Sequence, residues 1–136
     1  MTSDTLLSYG LKPIGSLEIV GNEFRIQIDD NEAVRKEKCI YAFVVNDEIV
    51  RIGSSKAALR TRFTAWQRDV SNALQGRKSP TPQSECEGWR EVLDGTKGTV
   101  FARQGSFVET PVGEINAYLA EEAALIAKHR PRFCRR

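Results

Sequence analysis

Cys39-Ile40-Tyr41-Ala42-Phe43-Val44-Val45, then Asn46-Asp47-Glu48, then Ile49-Val50-Arg51-Ile52-Gly53: the reading of this run decides the fold. Its first arm is apolar at almost every residue, so both faces must be covered and the arm belongs inside a sheet rather than at its edge. Asn46-Asp47 supplies turn chemistry, which makes the run a hairpin. Tyr41 in the first arm and Gly53 at the end of the second, with Ser54-Ser55-Lys56 following, give it chemical interest as well.

Around this hairpin the chain has 136 residues, enough for one domain with one modest core. With 40% hydrophobic and 28% charged residues it has the composition of an ordinary soluble globule. The net charge of +2 says little, but its distribution says more. Lys128, Arg130, Arg132, Arg135 and Arg136 form a basic terminus, and Arg60, Arg62, Arg68, Arg77 and Lys78 a second basic group. Cys39, Cys86 and Cys134 are odd in number and lack metal-type spacing, which argues against a disulfide framework or a structural zinc and for a reducing cytoplasm. There is no secretory start and no run long enough to span a bilayer, so an intracellular protein with no membrane partner is expected.

Residues 1–15 read as an extended lead-in, broken by Gly10, Pro13 and Gly15. Alternation from Leu17 to Ile28 about Gly21-Asn22 predicts an edge hairpin. It belongs to an amino-terminal extension, 1–38, whose polar end, Asp29 to Lys38, is a surface connection. From Lys56 to Leu74 the period becomes helical, with Leu59, Phe63, Trp66, Val70 and Ala73 in one stripe, Ser54 or Ser55 as the cap and Gly76 as the stop. Gly76 to Ser84 is a breaker-rich loop, and with the short helix Glu85–Leu93 it forms an insertion, 76–95, that the core does not require. Thr99–Ala102 reads as a third core strand, Ser106–Gly113 as irregular, and about Glu114 to Lys128 as the last helix. The fold class is therefore α/β of the α+β kind, a small, mostly antiparallel sheet flanked by helices.

On the last helix Ile115, Tyr118, Leu119, Glu122, Leu125, Ile126 and His129 share one stripe, with Glu122 near its centre. A carboxylate there loses hydration at a cost of several kcal/mol unless a cation, a metal or donors replace the water. Two readings stand side by side: a functional carboxylate, or a structural ion pair at the edge of the core. Glu121 turns to solvent, and His129 satisfies the helix end. Arg62 is either a flank residue covering Trp66 with its stem or a guanidinium aimed at a phosphate, and Arg60 flanks the other side. Tyr41 is by itself a core tyrosine.

Together, the aliphatic-Tyr pair Ile40-Tyr41, the Ile52-Gly53 end of the second arm, Arg62 three positions after Leu59, and Glu122-x-x-Leu125-Ile126 followed by Lys128-His129-Arg130-Pro131-Arg132-Phe133 resemble the GIY-YIG nuclease superfamily over residues 39–134. The layout is similar to its phage endonuclease II branch, and the closing segment to the UvrC nuclease module. The resemblance implies a metal-dependent DNA endonuclease, phage-like or restriction-like. Tyr41 would be the proton acceptor, Arg62 the catalytic arginine and Glu122 the ligand of one Mg²⁺ or a similar ion such as Mn²⁺. It further implies duplex DNA as partner, contacted by Arg51, Gly53, Lys56, Arg60, Arg68, Arg77, Lys78 and Arg103. A homo-oligomer follows from the need to cut two strands. Three positions depart from the motif, and two of them, Arg51 and Cys134, favour a competing reading, a DNA-binding module that keeps the fold without turnover. Cys39 replaces the first motif glycine, Arg51 the second motif tyrosine, and Cys134 the closing asparagine.

Overall fold

A computed structural model describes residues 2–134. The central hairpin forms as the sequence predicts, with β3 (Cys39–Val45) and β4 (Glu48–Ser55) joined by Asn46 and Asp47. Both turn residues have positive φ, 50° and 62°, the backbone that matches a two-residue turn to the strands' twist. Every residue of β3 is buried, because helices cover both faces of the sheet. Cys39, Tyr41, Phe43 and Val45 face one core with α2 (Leu59–Leu74) and α3 (Gln83–Val92). Ile40, Ala42 and Val44 face another with α1 (Thr2–Ser8) and α4 (Tyr118–His129).

The five-stranded antiparallel sheet has the order β2-β1-β5-β3-β4, where β1 is Lys12–Val20, β2 Glu23–Ile28 and β5 Gly98–Gln104. The amino-terminal hairpin thus extends the same sheet. Of this hairpin only β2 lies at an edge, since β1 also pairs with β5. Of the lead-in expected at residues 1–15, residues 12–15 already belong to β1 and Thr2–Ser8 is instead a short helix, α1. Leu6 and Leu11 pull it onto the second core, and Thr2 N–H bonds the Asp47 carboxylate at 3.0 Å.

On the opposite edge β4 carries a bulge. Val44 pairs with Ile49 but Phe43 pairs with Arg51, so Val50 is an extra residue. Parity shifts by one, which turns Arg51 and Gly53 to the α2 side and sets Gly53 opposite Tyr41. The terminal segment then runs along β4. Phe133 N–H bonds Val50 O at 2.8 Å, and the Cys134 thiol accepts from Ile52 N at 3.1 Å and donates to Ile52 O at 3.0 Å. Backbone groups that an open edge would leave unpaired are satisfied in this way.

Helix α2 buries the predicted stripe and stops at Gly76, whose φ is +75°. There Arg77 N–H reaches Asn72 O and Gly76 N–H reaches Ala73 O, the paired bonds of a glycine-terminated helix. Its start differs from the expectation. Ser54 and Ser55 remain in β4, and the Ser55 hydroxyl bonds Ala57 O. The insertion is not dispensable either, because Trp89 and Cys86 of α3 are fully buried. Trp89 packs edge-on against Phe24, Phe43 and Trp66 and stacks on Phe133 at 4.1 Å.

Residues expected to be irregular form a second hairpin, β6 (Phe107–Thr110) and β7 (Gly113–Asn116). The last helix consequently begins at Tyr118 rather than Glu114. The Asn116 side chain sets that boundary by accepting from Tyr118 N–H at 3.0 Å and donating to Gly105 O at 3.1 Å. Among the described residues no helix is long and apolar enough to cross a membrane.

Candidate active site

The ends of β4, α2 and α4 enclose a cleft of about 460 Å³. Arg51, Gly53 and Ser54 line it from β4, Arg62, Trp66 and Asp69 from α2, and Leu119, Glu122 and Ile126 from α4. Pro80, Thr81 and Pro82 form a further wall, held to α2 where the Ser79 hydroxyl bonds Asp69 O at 2.6 Å.

Glu122 is 7% exposed and lines this cleft, so the carboxylate that the helical stripe singled out does reach it. Glu121 does not turn to solvent as expected. Both its oxygens are taken up by the Arg103 guanidinium, and it also accepts from Ser106 N–H at 2.7 Å and from the Ser106 hydroxyl at 3.0 Å. The Arg103 bonds, with those from Ser106, hold its carboxyl below the usual carboxylate range. Burial pushes His129 down, and its Nε2 meets the Tyr9 hydroxyl at 3.1 Å.

Arg62 lines the cleft with a buried Nε that has no hydrogen-bond partner among the described residues. The flank position is therefore settled by geometry rather than by periodicity, and Arg60, exposed on α2, lies outside the cleft. Arg51 lies over the Trp66 ring, 4.6 Å from guanidinium carbon to ring centre, and its Nη1 donates to Phe133 O at 3.0 Å. Its Nε, too, is buried without a partner.

Tyr41 is 1% exposed and does not line the cleft. It packs between Phe43 and Phe63, with ring centres 5.2 Å from each. Its hydroxyl fills the space where a side chain at Gly53 would begin: a Cβ there would overlap the Tyr41 oxygen and Cζ. Gly53 thus both lines the cleft and packs against this hydroxyl, and the requirement for glycine is steric.

The remaining cations are spread differently. Lys56, Arg77 and Lys78 are exposed and away from the cleft, and Arg68 is exposed beside Asp69 at 3.5 Å. Arg103 is committed to Glu121 and to Tyr9 O, at 2.8 Å, on the α4 side of the sheet. Arg135 and Arg136 lie outside the described residues. Of the departures from the motif, Cys39 is a core residue whose thiol burial pushes up to about 11, and Cys134 makes the two-way bond to Ile52 that closes the edge. Asp69 and Glu85 were not picked out from the sequence. The signal for Asp69 was present, since Arg62, Trp66 and Asp69 follow at spacings of four and three on one helix face.

Among the described residues no three His, Cys, Asp or Glu side chains group as a metal cage. A buried carboxylate on a polar cleft still fits a magnesium-type ion, which binds through one or two carboxylates and keeps waters for phosphate oxygens to replace.

No family model matches the sequence, and no curated protein is significantly similar to it. Solved structures are. A mutant of bacteriophage T4 EndoII superposes with a TM-score of 0.69 at 21% identity, covering 98% of both chains. The fold is that of endonuclease II. A restriction endonuclease in complex with product DNA matches the endonuclease II fold of this chain with a TM-score of 0.55 at 16% identity. The match covers 98% of this chain and 84% of that one.

Proposed function

We propose that the protein is a metal-dependent DNA endonuclease of the GIY-YIG type. The observation that carries this reading is the convergence of Glu122, from the distant last helix, with Arg62 and Gly53 on one cleft, in a chain with an endonuclease fold. Glu122 would hold a single Mg²⁺ or Mn²⁺, and the ion would supply charge neutralisation at a phosphate. Arg62 binds the phosphate and stabilises the charge that builds on it; its buried Nε, without a partner among the described residues, supports this role. Tyr41, whose hydroxyl occupies the space that a side chain at Gly53 would take, accepts the proton of the attacking water. Arg51, Lys56, Arg60, Arg68, Arg77 and Lys78 contribute phosphate contacts along duplex DNA, so binding weakens steeply with salt. Arg103, held by Glu121, has the weakest case for a DNA contact. Cutting both strands with one such site per chain calls for a homo-oligomer.

Nicking of supercoiled plasmid with Mg²⁺, compared with Glu122→Ala, Tyr41→Phe and Gly53→Ala, tests the reading. Metal-dependent nicking by the wild type that all three variants lose supports it. Salt-dependent DNA binding with no nicking by the wild type favours instead the binding module that Arg51 and Cys134 suggest.

A further inference from the structure

Two arginines of the cleft are left in the same condition. Nε of Arg51 and Nε of Arg62 are both buried and both lack a hydrogen-bond partner among the described residues, and both side chains line the one cavity. A desolvated N–H of a cationic group is costly to leave unmade, and an acceptor entering the cleft that both side chains line would satisfy it. Arg51 is also fixed in place before any ligand arrives. Trp66 supports the face of its guanidinium at 4.6 Å and Phe133 O fixes Nη1 at 3.0 Å, so little freedom remains to be lost on binding. Asp69, the nearest acid on α2, has Arg68 at 3.5 Å.

We infer that Arg51 and Arg62 form a two-guanidinium anion site in which each takes a separate phosphate group of one bound strand. The identity of the ligand as a nucleic acid strand rests on the nuclease reading; the anion site does not. A guanidinium donates hydrogen bonds and does not give up its proton at physiological pH, so Arg51 cannot perform acid or base chemistry in the manner of a tyrosine. It is a positioning residue, setting the phosphate beside the scissile one so that the latter meets Arg62 and Glu122.

The test uses the Nε–Hε nitrogen-15 resonances of the full chain, assigned with Arg51→Gln and Arg62→Gln. Inorganic phosphate and a trinucleoside diphosphate are titrated at constant ionic strength, with and without Mg²⁺. The Arg51 and Arg62 signals are expected to shift saturably with both ligands, while that of Arg103, already bonded to Tyr9 O, stays fixed. Arg51→Gln is expected to weaken the trinucleoside diphosphate by about tenfold or more, the loss of one charge-assisted hydrogen bond, and to leave the Arg62 signal responsive to inorganic phosphate. Arg51→Lys, which keeps the charge and the stem over Trp66, is expected to fall between. An Arg51 signal that responds to neither ligand overturns the inference, as does unchanged trinucleoside affinity in Arg51→Gln. Should Arg51→Gln not fold, the wild-type titration and Arg51→Lys decide alone. Binding is read without turnover. A protein that binds phosphate here and never nicks DNA overturns the nuclease reading only, and one that nicks while its Arg51 signal stays still overturns the anion site only.

Discussion

Helix α4 presents two adjacent carboxylates to two different regions. At the junction with β5, Glu121 is locked to Arg103 and Ser106, every oxygen is occupied, and the group holds the end of the sheet to the helix. One residue on, Glu122 lines a cleft whose arginine, Arg62, has a buried Nε with no partner. The side chains are of the same types and differ in how they are satisfied. A closed pair contributes to stability, whereas a buried guanidinium N–H without a partner among the described residues costs stability.

Exchanging the two regions' arginines should separate activity from stability most widely. Arg62→Ala is expected to lower plasmid nicking by about 10²-fold or more while leaving the midpoint of thermal unfolding unchanged or slightly higher. Arg103→Ala should do the reverse, costing about 1–3 kcal/mol in a denaturant titration, because a part-buried carboxylate loses its cation. A marked drop in stability for Arg62→Ala would show that the cleft is a structural feature and break the comparison.

A finer test uses pH. The folded-state pKa of Glu121 lies below its unfolded value, so the unfolded chain takes up the proton first on acidification. The stabilisation is complete at neutral pH and is lost as pH falls through the carboxylate range. Glu121→Gln should therefore be less stable than wild type at pH 7, with the gap closing in acid; a gap that is constant with pH would contradict the ion pair. His129 adds to the acid loss in the same direction at higher pH, since its lowered pKa favours the neutral ring in the folded state and that contribution is lost as pH falls below the ordinary imidazole value. The smallest effect is expected at the rim. Cys134→Ala removes the two-way bond to Ile52 and should cost about 0.5–1.5 kcal/mol. Cys134→Asn, which restores a donor and an acceptor, should cost less.

The sequence carried the hairpin and α2 plainly, because an all-apolar strand and a clean helical stripe each admit one packing. It also carried Glu122, because a carboxylate in an apolar stripe is a physical anomaly wherever the helix begins. It misplaced that beginning, since Phe107, Val108 and Ile115 of the β6–β7 hairpin are apolar but exposed, and Ile115 happens to fall on the helical period. The partner of Glu121 was hidden on β5, 18 residues away. The bulge at Val50, which brings Gly53 opposite Tyr41 and Arg51 to the Trp66 side, has no local signal in the sequence, and the terminal segment that bonds it comes from the far end of the chain. Trp89 looked dispensable because its helix is set between breakers, whereas its partners, Phe24, Phe43 and Phe133, come from across the whole chain.

The comparison is tested most directly by Glu122→Gln and Glu121→Gln side by side, each assayed for Mg²⁺-dependent nicking of supercoiled plasmid and for unfolding at pH 7. The account predicts that Glu122→Gln loses about 10²- to 10³-fold in nicking rate with little change in stability, and that Glu121→Gln keeps its nicking and loses stability. Full nicking by Glu122→Gln would contradict it.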